Sequence, residues 1–472
     1  MTMVGPIVLY VYLYTLLLCS VADGFSPVLT TRKSTRPLAL SASVASSTES
    51  KVSFDILPGK HVLVVGGSGR VGGSVVTQLV KRGCKVTVGG TSAENFQTAQ
   101  NRWQKLFPEH AVALTNDVDF CELDRSETNI VKAALSKPSY KYDLVVNTAG
   151  PFQGKVSSHN AVLDAAISLS IPYIDVCDDY CTAQAAKTKY ADKAVDAGTP
   201  CIISTGCWPG VSSLMAKQLV TKTLAEYPDL TPADLDCNFS FFTAGSGGAG
   251  ATLLVATFLI LSEQALTIQK GRRRPVPAMK EYSTANFGPV TGNRDVAHLN
   301  LLETASIHDN MHIGSVTSLF GTAPNFWNAL LGLMAQLPDD ILSDEDLMRK
   351  LSIFSLPIVR VVDYFAGASN AMRCDISSDK EPNLSVSAVY AHDNLEPCVG
   401  ECVVAFGCAV LSGAVPPGVL FPEEAVGGAD VTAVLGLASV GAHTVEVETK
   451  NLALSREEMW GDLAYKEALQ AV

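Results

Sequence analysis

Apolar residues in the first half of the chain alternate between short continuous runs and helical spacings. The run at residues 61–65 is followed by a glycine-rich turn and by an apolar stripe within residues 71–82. A second run follows at residues 83–88. Such runs are typical of buried strands, and the stripe is typical of an amphipathic helix. The pattern predicts a strand, a turn, a helix and a second strand, which are the first units of a parallel α/β sheet.

The same alternation continues to about residue 206. Helices are predicted at 93–107, 127–135, 159–169 and 182–196, and strands at Ala111–Leu114, 142–146, 172–176 and 200–204. Strands that alternate with helices form a doubly wound parallel sheet of the Rossmann type. We therefore predict a Rossmann domain over residues 55–206.

The second half of the chain has a mixed pattern that predicts an α+β domain over residues 207–395. Strands are expected near residues 236–243, 316–320 and 384–392. Residues 239–261 lack charge over a length that could cross a bilayer, so a membrane-attached protein is an alternative. Glycines at 245, 247, 248 and 250 interrupt the stretch, which favours a strand, a loop and a buried helix at 251–261.

The glycines after the first strand have the spacing of a dinucleotide-binding turn. Gly67, Gly69 and Gly72 match G-x-G-x-x-G, in which the glycines allow a tight turn, a close approach to pyrophosphate and close helix packing. The following helix would direct its N-terminal N–H groups at the phosphates. An ordinary turn without a ligand is the alternative. The residues expected to contact the nucleotide are Gly66, Gly67, Ser68, Gly69, Arg70, Val71 and Gly72.

The end of the second strand predicts which nucleotide binds. Chains that bind NAD place an Asp or Glu there to hold the ribose 2′-OH, whereas this chain has Gly90, Thr91 and Ser92. No carboxylate would repel a 2′-phosphate, and Arg70 can donate hydrogen bonds to it. We therefore predict NADP(H), although Glu94 is nearby and Arg70 fits a solvated surface position as well.

A third loop follows the strand at 142–146. In a doubly wound sheet, the carboxyl end of such a strand faces the ligand crevice. Small residues there allow the cofactor to lie close to the backbone, and the alternative is a Gly-Pro turn without contact. The residues expected to contact the cofactor are Asn147, Ala149, Gly150 and Pro151.

Four segments in this order, GGSGRVGG, NTAGPFQG, YIDVCDDY and GCWPGVSSLMA, resemble the NADP-binding domain of the saccharopine dehydrogenase-like (saccharopine reductase) family. GSGGAGATLLVATFLIL, GTAPNFWN and PPGVLFPEEA are similar to plastid members from plants and algae. The resemblance implies that residues 207–395 cover the cofactor and that residues 396–472 pack back on the nucleotide domain. It also implies an NADP-dependent oxidoreductase acting on C–N bonds. Thr91 stands where the family pattern has Arg.

The proton donor or acceptor of such a reaction is expected after the strand at 172–176. Asp175, Cys177, Asp178, Asp179 and Tyr180 lie at a sheet edge, where neighbouring carboxylates raise one another's pKa. Helix capping is the alternative for Asp178 and Asp179, and core packing for Cys177. No sharper catalytic constellation is present in the sequence, so a non-catalytic NADP(H)-binding scaffold or sensor is the alternative function.

Charge and the amino-terminal region restrict partners and location. The net charge of −12 argues against nucleic acid as a main partner. Residues 1–24 are predicted as a signal peptide, and residues 25–54 have the basic, Ser-rich composition of a transit peptide. The two together resemble the plastid presequences of algae with complex plastids, and secretion is the alternative. A small-molecule substrate and a homodimer are the expected partners, with no metal and no stable membrane insertion.

Overall fold

The computed structural model describes residues 50–137, 141–152, 159–244, 251–366 and 368–462. The predicted signal peptide, most of the transit-like segment and the glycines at 245–250 lie outside the described residues.

Strands and helices alternate through the first half of the described chain, as the apolar pattern predicts. The strands are β1 (His61–Val65), β2 (Lys85–Gly90), β3 (Val118–Glu122), β4 (Leu144–Asn147), β5 (Tyr173–Asp175) and β6 (Pro200–Ile202). The helices are α1 (Arg70–Lys81), α2 (Ala93–Leu106), α3 (Ala111–Asn116), α4 (Thr128–Leu135), α5 (Ala161–Ser168), α6 (Tyr180–Asp196) and α7 (Val211–Glu226).

The second half contributes the remaining elements. Its strands are β7 (Asp236–Ala244), β8 (Ala265–Gln269), β9 (Arg272–Val276), β10 (Ser283–Asn286), β11 (Asn293–His298), β12 (Ser315–Ala323), β13 (Ser369–Ser377), β14 (Ser385–His392), β15 (Gly418–Leu420) and β16 (Thr444–Lys450). Its helices are α8 (Ala251–Ile260), α9 (Gly288–Thr291), α10 (Leu302–Met311), α11 (Asn325–Met334), α12 (Asp339–Leu342), α13 (Glu345–Ala366), α14 (Leu395–Leu411), α15 (Pro422–Ala425), α16 (Ala429–Ala438) and α17 (Arg456–Trp460).

The first sheet is a seven-stranded parallel sheet in the order β15-β6-β5-β4-β1-β2-β3. The order 3-2-1-4-5-6 within it is that of a doubly wound nucleotide-binding fold, so the predicted fold class is confirmed. Its seventh strand, β15, lies more than 200 residues after β6 in the chain. No local pattern in the sequence indicates that pairing.

One predicted strand is wrong. Ala111–Leu114 belongs to the helix α3, and the strand begins only at Val118. Val112 is 74% exposed, and Leu114 is the only residue of α3 whose side chain is buried. A single buried position in six residues is compatible with one and a half turns of surface helix but not with a strand inside a sheet.

The second sheet has nine strands, with the main path β10-β11-β12-β7-β13-β14-β16; β8 pairs with β12, and β9 pairs with β8. β7 and β12 pair in parallel, whereas the other pairs are antiparallel. The predicted strands near 236–243, 316–320 and 384–392 and the helix near 251–261 all occur. Within the described residues, no helix combines the length and apolar character that a membrane span requires.

Helix α14 packs against α1 on the face of the first sheet. Its residues from Cys398 to Val410 are buried, and a Cβ at Gly400 would lie 2.3 Å from Ser74 Oγ of α1. Together with β15, this late segment completes the layers around the nucleotide-binding sheet. The carboxyl edge of that sheet, where ligands bind in this fold, is therefore framed by residues from both halves of the chain.

Candidate cofactor and active site

The turn between β1 and α1 accepts only glycine at its most crowded positions. Gly66 has a φ of +81°, and a Cβ there would lie 2.9 Å from Ala149 Cα. A Cβ at Gly72 would lie 2.4 Å from the Gly66 carbonyl oxygen and 2.5 Å from Thr148 Oγ1. These contacts bring α1 and the loop after β4 directly against the turn, as the G-x-G-x-x-G geometry requires.

Backbone hydrogen bonds connect three strand ends at this turn. Gly66 N donates to Gly89 O at 2.8 Å, and Gly69 N donates to Gly66 O at 2.9 Å. The N–H and the hydroxyl of Thr148 both donate to Val65 O, each at 2.9 Å. The carboxyl ends of β1, β2 and β4 therefore form one continuous rim.

The rim has the donors that a dinucleotide needs. Gly69 is the N-cap of α1 and offers no side chain to the first N–H groups of the helix. Ser68 Oγ is buried without a hydrogen-bond partner, and it lies 4.0 Å from the position of a Cβ on Gly90. Orphaned donors at a helix N-terminus and an unpartnered hydroxyl are suited to a phosphate. The predicted residues Gly66 to Gly72 thus fit a bound dinucleotide.

Arg70 begins α1 and already has an anionic partner. Its Nη1 lies 3.3 Å from Glu396 Oε1 at the start of α14. Burial raises the pKa of Glu396, and burial together with the Arg70 charge lowers the pKa of Arg102, a third member of this charge cluster. Sequence reasoning missed Glu396 and Arg102, since neither is close to the glycine motif in the chain.

The second-strand end carries no carboxylate. Gly90 is the last residue of β2, and Thr91 is exposed. Ser92 is the N-cap of α2, where its Oγ accepts a hydrogen bond from Asn95 N at 3.1 Å. Its O–H proton can still be donated to an anion, because the cap uses only a lone pair of the oxygen.

The loop after β4 has a buried and an accessible part. Asn147 is 2% exposed, donates to the Tyr173 hydroxyl at 3.2 Å and accepts from Ala149 N at 3.2 Å. The asparagine side chain therefore fixes the backbone of the loop through these two hydrogen bonds. Gly150 is exposed and Pro151 is half-buried at the crevice side of that loop.

Asp175 is a buried anchor of the rim. It is 2% exposed and accepts from the Tyr173 hydroxyl at 2.9 Å, from Cys177 N at 3.1 Å and from Ser204 N at 2.9 Å. Burial raises its pKa, and these three hydrogen bonds oppose the shift. The carboxylate joins the ends of β5 and β6, so its lone pairs are committed to the fold.

The other predicted catalytic residues have different surroundings. Cys177 is buried, and burial raises the pKa of its thiol. Asp179 is the N-cap of α6 and accepts from Thr182 N at 2.6 Å. The Tyr180 hydroxyl donates to Asp309, and burial followed by this hydrogen bond raises the pKa of the phenol.

Asp178 is half-buried between Cys177 and Asp179. Its charge adds to burial and to the Asp175 charge in raising the pKa of the Cys177 thiol. Of the five predicted catalytic residues, it is the carboxylate that neither caps α6 nor anchors the β5 and β6 ends.

A second acidic group lies behind this edge, and sequence reasoning missed it. Glu303 of α10 is 1% exposed and accepts from Ser212 Oγ at 2.7 Å. Burial is the largest cause that raises its pKa, to about 7, and the charges of Glu423 and Asp178 add to the effect. No local signal distinguishes Glu303 from a surface glutamate, because its burial depends on the packing of α10 against α7 and α15.

The architecture and the rim define a class of protein, the Rossmann-type nucleotide-binding α/β proteins, here with a second mixed sheet. Residues 62–202 match the model of the saccharopine dehydrogenase NADP binding domain. This segment is similar to that NADP-binding domain, and the match supports NADP as the cofactor. No curated protein is similar to the chain in sequence.

A solved structure shares the fold over most of the chain. It is the apo saccharopine dehydrogenase (L-Glu forming) from Saccharomyces cerevisiae, which is 15% identical, covers 83% of this chain and 100% of its own, and superposes with a TM-score of 0.52. 2-Keto-3-deoxy-D-gluconate dehydrogenase from Streptococcus agalactiae is 16% identical over 32% of this chain and 69% of its own, with a TM-score of 0.25. The first similarity supports the two-sheet fold, whereas the second extends over 32% of this chain only.

Proposed function

We propose that this chain is an NADP(H)-dependent oxidoreductase that transfers hydride to or from a C–N bond of an amino-acid- or polyamine-derived substrate. The observation that carries the proposal is a glycine turn in a segment that matches an NADP-binding domain, within a fold that aligns with the whole chain of a saccharopine dehydrogenase. The substrate class comes from that similarity and from the sequence motifs quoted above. The same resemblance suggests the plastid subgroup of the family.

The residues of the rim have separate parts in this function. The N–H groups at the start of α1 and Ser68 would hold the pyrophosphate, and Arg70 with Thr91 and Ser92 would hold the ribose phosphate. NADP(H) supplies the hydride when bound. The chain must orient the nicotinamide against the substrate and move one proton at the substrate nitrogen.

Asp178 is the residue we assign to that proton. Asp178 is half-buried and lies three residues after the carboxyl end of β5, the edge at which ligands bind in this fold. The Tyr180 phenol is protonated at neutral pH like any tyrosine and its hydroxyl already donates to Asp309, so we do not assign it as the base. Replacing Asp178 with Asn should abolish turnover while NADPH binding persists.

The experiment combines binding and turnover. The purified chain is titrated with NADPH and then assayed with saccharopine, with its aldehyde precursor plus glutamate and with carboxylated polyamines, using both oxidation states of the cofactor. A substrate-dependent change in nicotinamide absorbance that is lost in Asp178→Asn supports the proposal. Absence of NADPH binding at near-millimolar concentration would overturn it.

A scaffold or sensor that binds NADP(H) without turnover is the second candidate. It is favoured by the commitment of Asp175, Cys177 and Asp179 to hydrogen bonds within the fold. NADPH binding without turnover of any of these substrates in either direction would support it.

We further propose import into a plastid, on the basis of the presequence-like residues 1–54. A fluorescent fusion of these residues, expressed in an alga with complex plastids, should label the organelle, whereas secretion of the fusion would contradict the proposal. A homodimer is proposed as well. Light scattering of the processed chain measures its mass in solution, and the mass of a single copy would contradict the homodimer.

A further inference from the structure

Helix α13 packs on α8 through one face and exposes the other. Its buried side chains include Met348, Val359 and Val362, which recur at the spacing of a helix that lies on a core. Met348 belongs to a small apolar core that α13 shares with α8, α11 and α12. A helix in this position ordinarily presents polar side chains to solvent.

The outer face of α13 is apolar instead. Ile353, Pro357 and Val361 follow one another at intervals of four residues, so they form a line along one face of the helix. Ile353 is 60% exposed, Val361 is 61% exposed, and Phe354 beside them is 50% exposed. We call the face formed by these four residues the α13 stripe.

The α13 stripe differs from the rest of the described surface. Outside α13, no helix or strand of the described chain carries more than one large exposed apolar side chain. One of these single residues is Leu333 of α11, the helix that shares the core with α13. Apolar side chains that are exposed singly are normal, whereas a contiguous group of them marks an interaction surface.

Basic side chains accompany the stripe. From Arg349 to Val361 the chain has three basic residues and no acidic one. Arg349 pairs with Glu345 at 2.9 Å, whereas Lys350 and Arg360 are exposed near the two ends of the stripe. The whole chain has a net charge of −12, so this face is a local exception. Charges farther away than a Debye length of about 10 Å are largely screened from whatever binds there.

The charge pattern decides between the possible occupants of this face. A two-fold contact with a second copy would place the stretch from Arg349 to Val361 against itself, so that cations meet with no acidic residue between them. An anionic lipid surface has the opposite properties, because its hydrocarbon takes up apolar side chains and its headgroups attract Lys and Arg.

We propose that the α13 stripe docks this protein on the surface of an anionic lipid bilayer, with α13 in the plane of the interface. The helix lies on the bilayer in this arrangement and does not cross it, in agreement with the absence of a spanning helix among the described residues. The docking does not depend on the proposed oxidoreductase function, so either can fail without the other.

Flotation with lipid vesicles tests the proposal. Residues 49–472 form one compact unit and are used alone, because the apolar residues 7–19 could bind lipid by themselves. This chain should float with vesicles of phosphatidylcholine and phosphatidylglycerol in equal parts but not with vesicles of phosphatidylcholine alone. Added salt should weaken the flotation, because it screens the attraction of the basic residues to the headgroups.

The apolar contribution is measured with a double variant. Ile353→Ser with Val361→Ser should lower the partition coefficient by about tenfold or more, because two exposed apolar side chains no longer enter the hydrocarbon. The matched control is Val112→Ser with Val195→Ser, at positions that are 74% and 56% exposed on α3 and α6. The control should float like the wild type.

The basic contribution is measured separately. Lys350→Gln with Arg360→Gln should lower the partition coefficient by about fivefold for each charge removed. Lys105→Gln with Lys189→Gln removes two exposed charges from other helices and should have little effect. Circular dichroism establishes that each variant is folded, and if the serine variant is not, the glutamine variant decides.

Three results would overturn the inference. The first is equal flotation with and without phosphatidylglycerol, or none with either. The second is flotation of the folded stripe variants that equals that of the wild type. The third is a dimer, measured by light scattering, that Ile353→Ser with Val361→Ser dissociates while the wild type does not float, because the face would then bind a second copy.

Discussion

Gly69 and Gly72 belong to the same motif but have different neighbours. A Cβ at Gly69 meets only Gly66 O at 3.1 Å, whereas a Cβ at Gly72 would overlap backbone at 2.4 Å. Gly69 is exposed and is the N-cap that faces the phosphate position. Gly69→Val should therefore abolish NADPH binding in a titration while the melting temperature changes little, because the added methyl groups occupy ligand space.

Two further glycine variants serve as controls for Gly69→Val. Gly427→Val places the same side chain where nothing lies within 4 Å, so it should retain both binding and stability. Gly72→Ala should lower stability as well as binding. If Gly69→Val binds NADPH like the wild type, the phosphate does not lie at this turn.

Arg70 is the residue that we expect to bind the 2′-phosphate of NADP(H). Hydrogen bonds to a charged group contribute roughly 1.5–3 kcal/mol, so Arg70→Ala should weaken NADPH by about tenfold to a hundredfold and NADH much less. Because Glu396 shares the Arg70 guanidinium at 3.3 Å, Glu396→Gln should strengthen NADPH binding selectively. Equal losses for both cofactors in Arg70→Ala, measured by fluorescence titration, would show that another group reads the phosphate.

At the scale of the elements, helix α6 tests whether Asp179 is a cap or an acid. Serine caps helices as well as aspartate does, but it carries no charge. Asp179→Ser should keep both stability and turnover, whereas Asp179→Ala should lower the unfolding free energy by about 1 kcal/mol in urea titrations. Loss of turnover in the stable serine variant would instead make Asp179 a catalytic group.

Element boundaries show where local pattern reasoning succeeds and where it fails. Strands β1 and β4 each contain a continuous apolar run in the middle of a sheet, so their position in the chain was predictable. Residues Ala111–Leu114 are equally apolar, yet they form a surface helix. A short apolar run does not distinguish a strand from a helix, because the distinction depends on what buries it.

For the whole molecule, buried Glu303 makes stability depend on pH. Its folded pKa of about 7 lies above the ordinary value of 4.5, so the stabilising contribution is complete below about pH 4.5 and is lost as the pH rises through 7. Relative to Glu303→Gln, the wild type should lose about 2 kcal/mol of unfolding free energy between about pH 5 and about pH 8. Denaturation curves of both chains at the two pH values test this expectation. If the wild type and Glu303→Gln change equally in unfolding free energy between these pH values, the expectation is wrong.

The late segment α14 and β15 should be required for the nucleotide domain to fold. Each large apolar side chain of α14, such as Leu395, Val403 or Phe406, contributes roughly 1.5–3 kcal/mol when buried, and whole domains are stable by only about 5–15 kcal/mol. A chain that ends at Asn394 should be insoluble or lack native circular dichroism, whereas one that ends at Asp462 should fold. Folding and NADPH binding by the shorter chain would contradict this expectation.

The sequence by itself determined the strand, glycine turn and helix of the nucleotide rim, and it predicted NADP as the cofactor. These features are encoded within a few residues, where backbone sterics and helix geometry act locally. The tertiary structure alone decided that β15 closes the first sheet, that Glu396 pairs with Arg70, that Asp175 anchors two strand ends and that Glu303 is buried against Ser212. Each of these depends on contacts between segments far apart in the chain, and such contacts leave no periodic signal in the sequence.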